Sequence, residues 1–367
     1  MKAIRTTTLG HCEVVDGLPI PSVADLPGFV LVKTSFVGIH HCDYLAVDYE
    51  GFFLPNITVG VEFSGVVVDA HPACRRVEKG DRVAGCTFPT GPAMPNAGTH
   101  AEYTLAKGDT LLRLDALGPA VREEQTPGLG VPLATMLMAL YRIMKLPPPP
   151  PQPSATAAAA DRGPLLVYGG STNTGRFAIQ YAKLSGIPVL STCSPRNFAL
   201  VRGLGADDVF DYADAAGCAR ALRAATPGGR GVRLVLDCIG QPETARLCAE
   251  AMAAPDAGGD GGGDGDGPLY VSVSPVPSPR ADVTSLLVPG QAPLGEPFVV
   301  GGHTVPADAE AFEAVVPFME QAEGLIREGK LLVPEVEVVD GWEAVIEKMA
   351  DLRAWKVSAQ KFVARVG

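Results

Sequence analysis

The sequence predicts an α/β chain: a doubly wound parallel sheet joined to an irregular, β-rich domain. Three observations predict it. From Leu165 to Gly302, short apolar runs alternate with helix-forming stretches, the pattern of a parallel sheet covered on both faces. Before Pro127 the chain carries β-branched runs and Gly-Asp turn signals but no sustained helical period. A glycine-rich turn, "GGSTNTG" (169–175), follows the first strand of the alternating region.

Taken in order, "FVLVKTSFVGI" (29–39), "EFSGVVVDA" (62–70) and "AEYTLA" (101–106) read as strands. "LATMLMALYRIMKL" (133–146) reads as a helix stopped by the proline run of 147–164, an extended loop. Strand and helix then alternate through "LLVYGG", "GRFAIQYAKLSG", "IPVLSTC", "RNFALVRGLG", "DDVFDY", "AAGCARALRAAT", "VRLVLDCIG" and "PETARLCAEAMA", and "LYVSVSP" and "PFVVGG" close the series. The glycine–aspartate insert 254–268 reads as a surface linker, since it lacks the spacing and final Glu of a calcium loop. A helix near 309–329 and a last strand, "KFVARV", complete the chain. The expected division is 1–126 with 304–367 as the β-rich catalytic domain, and 127–303 as the nucleotide-binding domain.

With 367 residues, 47% of them hydrophobic and 19% charged, the chain suits two folded domains. A net charge of −11 without a basic cluster argues against nucleic acid. No stretch approaches the roughly 18 apolar residues of a membrane span, and the opening lacks a signal-peptide core. The eight cysteines form no C-x-x-C pair, which fits reduced thiols and a soluble, cytoplasmic protein.

Chemistry concentrates at the glycine-rich turn. Gly169 and Gly170 supply the tight turn and Gly175 opens the helix, with Thr172 where a second glycine often stands. Such a turn aims backbone N–H groups and a helix N-terminus at a pyrophosphate, as in Rossmann sites. Ser171, Thr172 and Thr174 add hydroxyls around Asn173. About 20 residues on, where an NAD site places an acid on the ribose, the chain has Ser194, Pro195, Arg196 and Asn197. Arg and hydroxyl groups suit a 2′-phosphate that a carboxylate would repel, so NADPH is the expected cofactor. A second cluster, His40, His41, Cys42 and Asp43, has four side-chain types that bind metals. Consecutive residues cannot all converge on one ion, and a catalytic zinc needs about three ligands in fixed geometry.

The segments "VLVKTSFVGIHHCDY", "GVEFSGVVVDA…VEKGDRVAG", "AGTHAEYTLAKGD", "GGSTNTG" and "KVSAQKFVARV" resemble the medium-chain dehydrogenase/reductase superfamily over essentially the whole chain. The resemblance implies a GroES-like catalytic domain beside the Rossmann domain. Zinc members carry Gly-Ile-Cys-His-x-Asp and Gly-His-Glu. Here His40 replaces the first ligand, Val61 replaces the second motif's His, and only Glu62 survives; the cysteine lobe is missing too. A zinc-free member is expected. Quinone-reductase-like relatives carry Gly-Ile-Asn-Pro-x-Asp at this place, which implies that His40, His41, Cys42 and Asp43 touch the cofactor.

"VYGGSTNTG", "LSTCSPRNFALVRGLGADDVFDY", "LVLDCIGQPETA" and "PLGEPFVVGG" are similar to fungal trans-acting enoyl reductases. That similarity implies NADPH-dependent reduction of an α,β-unsaturated thioester on a polyketide synthase, or hybrid polyketide–peptide synthetase, carrier domain, by a monomeric enzyme. It implies further cofactor contacts at Tyr212, Ser272, Val273, Val357 and Ser358. The acyl chain is expected along Val131, Pro132, Leu133, Ala134, Thr135, Met136, Leu137 and Met138, and along Leu294, Gly295, Glu296, Pro297 and Phe298. A helix at 131–138 serves equally as buried packing. No general acid is assigned; Tyr44 is a candidate proton donor, with packing as its simpler role. Two other readings stand beside this one: a reductase of free quinones or enals, and a non-catalytic NADPH-binding partner of a synthase.

Overall fold

The computed structural model describes residues 1–89, 97–149, 163–254, 267–300 and 302–366. Its chain folds as two units, residues 1–134 with 290–367 and residues 135–289. The proline run and the glycine–aspartate insert lie largely outside the described residues.

The first unit opens with an antiparallel hairpin, β1 (Ala3–Thr6) and β2 (Cys12–Val15). There follow β3 (Phe29–Ile39), β4 (Glu62–Ala70), β5 (Arg82–Cys86), β6 (Tyr103–Lys107) and β7 (Leu112–Arg113). β3 is long because aromatic and β-branched residues bury all but one of its positions fully or partly, Lys33 excepted. One edge pairs with β4; the other pairs with β6 over Phe29–Lys33 and is free for a later strand over Phe36–Ile39. Sequence reading expected no helix here, yet α1 (His41–Asp48) follows β3 directly. Its eight residues are too few for a clear period, and it starts from a side-chain cap rather than an apolar stripe.

α2 (Gly130–Met136) begins three residues before the expected 133 and passes into a π-helical stretch at Leu137–Ile143. Gly130 sits against the backbone of β5, where a Cβ would lie 2.4 Å from the Gly85 carbonyl carbon. Pro132 falls in the first turn, where a missing N–H costs nothing.

The second unit alternates β8 (Leu165–Tyr168), α3 (Asn173–Leu184), β9 (Val189–Thr192), α4 (Phe198–Gly203), β10 (Asp208–Phe210), α5 (Ala215–Ala224), β11 (Leu234–Asp237), α6 (Pro242–Ala251), β12 (Leu269–Ser272) and β13 (Thr284–Leu287). All pair in parallel in the order β10-β9-β8-β11-β12-β13, the doubly wound order whose carboxyl ends carry ligands. β8, β9 and β11 are buried throughout, which is why they read as continuous apolar runs. The last strand corrects the sequence reading. "PFVVGG" does not enter this sheet; "TSLL" does, as a four-residue edge strand with Leu286 and Leu287 exposed, too short and polar to announce itself.

The chain then returns to the first unit through the hairpin β14 (Phe298–Val300) and β15 (His303–Val305). α7 (Ala309–Arg327), β16 (Val336–Asp340), α8 (Trp342–Arg353) and β17 (Lys361–Arg365) follow. β17 fills the remaining edge of β3, pairing Phe362 with Ile39, and β16 runs parallel outside it. Under this edge Ile4, Val37, Ile39, Trp342, Val345, Met349 and Phe362 form one core. That packing fixes the point where β3 hands the chain to α1.

Candidate functional site

Within the first unit, the His-His-Cys-Asp run proves to be a helix start. His40 is the N-cap of α1: its Nδ1 accepts the Cys42 N–H at 3.1 Å, and the Asp43 carboxylate accepts the His40 N–H at 2.6 Å. This reciprocal cap ties two N-terminal amides to side chains. His41 points elsewhere, its ring 5.4 Å from Trp355 and 5.7 Å from Tyr44. Asp43 is fully buried, with Oδ2 also 3.5 Å from Nε2 of buried His100. Tyr44 packs on the Ile39–Trp342 core, and burial raises its pKa.

The surviving acid of the second zinc motif is engaged by protein. Glu62, buried at the start of β4, accepts Lys361 Nζ on Oε2 at 2.5 Å and the Val131 N–H on Oε1 at 2.9 Å. Lys361 also donates to the Ile39 carbonyl at 3.1 Å. Among the described residues no group of three or more His, Cys, Asp or Glu side chains is placed to hold a metal ion. With Val61 beside it and an ammonium already on its carboxylate, Glu62 does not fit the role of zinc ligand.

Burial sets the titration of this cluster. It pushes the Asp43 carboxyl up to about 8, against the opposing effects of the His40 N–H and Lys361. It lowers His41 to about 4 and His100 to about 3, and it holds His40 well below its ordinary value. Each histidine is depressed relative to the unfolded chain, so it adds stability as pH rises to about 6.5. Asp43 has the opposite sign, because the native carboxyl keeps its proton up to about 8 while the unfolded one loses it near pH 4. Above about pH 6.5 only Asp43 of these four still contributes a slope. Unfolding free energy from denaturant titration is therefore expected to decline between about pH 6.5 and 8. Asp43→Asn should abolish that decline; an undiminished decline in the variant contradicts the assignment.

The expected acyl-chain residues separate into two groups. Val131 to Met138 are all buried, and Val131 and Ala134 pack with Val61, Cys86, Cys42 and Phe88. Leu294, Glu296, Pro297 and Phe298 line a depression of about 360 Å3, open mouth included, with Phe29, Thr87, Phe88, Lys107 and Gln291. Lys107 ion-pairs with Glu296 at 2.5 Å and lies 4.7 Å from the Phe29 ring centroid. Gly295 turns the chain with φ 67°, where a Cβ would meet Phe312 at 2.8 Å. Val357 and Ser358 are half-buried between α8 and β17, Val357 against the Trp342 core.

In the second unit, the remaining expected residues gather at the carboxyl ends of the parallel strands. After β8, Gly169 takes φ +79°, and a Cβ on Gly175 would lie 2.3 Å from the Gly169 carbonyl oxygen. The helix thus approaches the turn as a pyrophosphate cradle requires. Thr172 is the N-cap of α3: its hydroxyl accepts the Gly175 N–H at 3.0 Å and donates to the Gly169 carbonyl at 2.8 Å. Ser171, Asn173 and Thr174 flank it and are half-buried. After β9, Ser194 hydrogen-bonds the Tyr212 hydroxyl, which follows β10, at 2.9 Å. Pro195 and Arg196 are exposed and Asn197 is buried; Arg196 has no ion-pair partner among the described residues. Ser272 ends β12 and Val273 follows it. Residues 194–197 include no carboxylate, and among the described residues the Arg196 guanidinium there has no ion-pair partner, so this corner fits the adenosine end of a nicotinamide cofactor.

Two residues carry more than sequence reading gave them. Asp237, at the end of β11, is fully buried and accepts four hydrogen bonds, from the Ile239 and Gly240 N–H groups and the Thr244 and Tyr270 hydroxyls. Lys361, within "KVSAQKFVARV", pairs with buried Glu62. The signal for Asp237 was a charged residue inside an apolar strand run; Lys361 stands at the start of its strand, where a charge is ordinary.

The comparisons with known proteins follow the same division. Residues 26–116 match the alcohol dehydrogenase GroES-like domain family, and residues 174–256 match the zinc-binding dehydrogenase family. In structure, the chain resembles an alcohol dehydrogenase superfamily protein from Novosphingobium aromaticivorans with a TM-score of 0.74 at 22% identity, covering 100% of this chain and 99% of that one. The chain belongs to the medium-chain dehydrogenase/reductase superfamily. It is 30% identical to a trans-enoyl reductase of Aspergillus sclerotiorum over 100% of both chains. It is 33% identical to a trans-enoyl reductase of Alternaria alternata over 100% of this chain and 98% of that one. Within the superfamily, it belongs with the trans-enoyl reductases.

Proposed function

We propose that the chain is an NADPH-dependent enoyl reductase that saturates an α,β-unsaturated thioester presented by a polyketide synthase carrier domain. One observation carries the choice of chemistry. Glu62, the acid that zinc relatives keep beside their metal, is held by Lys361 and Val131. The substrate must then bring its own polarisation, and an enoyl thioester does so. Bound NADPH would supply the hydride that adds to the β-carbon.

The protein's own residues bind and orient. The Gly169–Gly175 turn and the N-terminus of α3 receive the pyrophosphate, and Ser194, Arg196 and Tyr212 receive the 2′-phosphate. His40–Asp43 and Ser272–Val273 are the further cofactor contacts of this reading, with Val357 and Ser358. The apolar faces of 131–138 and 294–298 hold the acyl chain and exclude water from it. Backbone N–H groups or the ribose hydroxyl of the bound cofactor would stabilise the enolate oxygen.

A synthase partner follows from a substrate that arrives on a carrier, and a cytoplasmic location fits eight free thiols. Among the described residues no helix is long and apolar enough to cross a membrane. The test compares a carrier-bound enoyl chain with free quinones and enals, each with NADPH and with a strong chelator present. Faster turnover of the carrier-bound chain, unaffected by chelator, is expected. Preference for the free molecules would favour a small-molecule reductase, and cofactor binding without turnover would favour a non-catalytic partner.

A further inference from the structure

We infer that the buried Glu62–Lys361 pair is a positioning device that sets where the acyl-chain helix α2 begins. The inference rests on the reading that residues 131–138 contact the acyl chain. Three strands and a helix meet at this pair. Lys361 is the first residue of β17, Ile39 the last of β3, Glu62 the first of β4, and Val131 lies in the first turn of α2. The side chains of Glu62 and Lys361 are 0% and 5% exposed, so their contacts are not shared with bulk water. A carboxylate has two oxygens, and here each has a different duty: Oε2 takes Lys361 Nζ, and Oε1 takes the Val131 N–H. Lys361 is itself fixed by the Ile39 carbonyl. The ammonium thus fixes the carboxylate, and the carboxylate fixes the helix start.

The cofactor side depends less on this pair. Ile39 is also held by its pairing with Phe362, and His40–Asp43 by their own reciprocal cap. Disturbing the pair should therefore displace the acyl chain more than the nucleotide. Misplacement of reacting atoms by about 1 Å can lower a rate by about a hundredfold. Glu62 and Lys361 act through Val131 and are positioning residues.

Removing one charge alone would leave the other buried and unpaired, which is strongly destabilising. The double variant Glu62→Leu with Lys361→Met replaces the pair by apolar residues of similar size, an exchange that folds tolerate. With an enoyl pantetheine thioester as substrate, this variant should melt close to the wild type and bind NADPH within about threefold. Its kcat should fall at least about tenfold. A purely structural pair predicts that kcat recovers with stability, and wild-type kcat in the folded double variant overturns the inference. If that variant does not fold, the swapped pair Glu62→Lys with Lys361→Glu decides. It keeps both charges paired but turns an ammonium, which has no acceptor, toward the Val131 N–H, so the same selective loss of kcat is expected and an unchanged kcat overturns the inference. Wild-type protein that never reduces the thioester would overturn the functional reading itself, a result separable from either variant's.

Discussion

Asp237→Ala is expected to cost the second unit roughly 3–5 kcal/mol, the largest stability loss among the substitutions considered for this unit. The carboxylate accepts the Ile239 and Gly240 N–H groups at 2.9 Å each, the Thr244 hydroxyl at 2.5 Å and the Tyr270 hydroxyl at 2.8 Å. It is 0% exposed, so water cannot replace it. Alanine leaves two amides and the Tyr270 hydroxyl without this acceptor, each worth about 1–3 kcal/mol when buried and unsatisfied, while the Thr244 hydroxyl keeps the Gln241 carbonyl at 2.9 Å. The loop it holds also reaches the nucleotide turn, because a Cβ on Gly169 would lie 3.0 Å from Ile239. Thermal unfolding should show a fall of about 10 °C, with Asp237→Asn recovering part of it through the retained oxygen. A shift of less than about 2 °C in the alanine variant would contradict this account.

The second large effect concerns cofactor choice. Ser194→Asp combined with Arg196→Asp should lower NADPH affinity at least about a hundredfold relative to NADH. A hydrogen bond to a charged group is worth about 1.5–3 kcal/mol, and a carboxylate beside a 2′-phosphate adds repulsion. Arg196 is exposed without an ion-pair partner among the described residues, and Ser194 is oriented by Tyr212 at 2.9 Å. The substitutions therefore break no internal ion pair, and the fold should persist. Binding of both cofactors by fluorescence titration checks the expectation. Equal weakening of NADPH and NADH would refute the 2′-phosphate assignment.

The two units differ in how far their sequence discloses them. In the second, strands buried on both faces and helices with one apolar side leave strong periodic signals, so five of the parallel strands were legible. The sixth, Thr284–Leu287, is a short exposed edge held by one neighbour, and nothing in its composition demands burial. In the first unit, β3 and β4 were legible to the residue because both are long and β-branched. α1 was not, since it is specified by the His40–Asp43 cap, an interaction between side chains and amides that no hydrophobic pattern encodes.

The candidate site divides the same way. The glycine turn is local, and its spacing is visible in the chain. Glu62 and Lys361 are 299 residues apart, so their pairing exists only once β17 docks on β3. Sequence shows Val61 where zinc relatives carry the histidine before this acid; it could not show that Lys361 and the Val131 N–H are the partners of Glu62. The His-His-Cys-Asp run is the converse case. Its residue types suggest convergence, while the backbone turns His40 into a cap and sends His41 toward Trp355.

The central claim is hydride transfer from NADPH to the β-carbon of an enoyl thioester. It is tested most directly by incubating the protein with an enoyl pantetheine thioester and NADPH deuterated at C4 on each face in turn, then locating the label by mass spectrometry. The account predicts a saturated thioester with one deuterium at the β-carbon from one of the two labelled cofactors, and solvent hydrogen at the α-carbon. NADPH left unconsumed, or deuterium found on a carbinol carbon with the double bond intact, would contradict it.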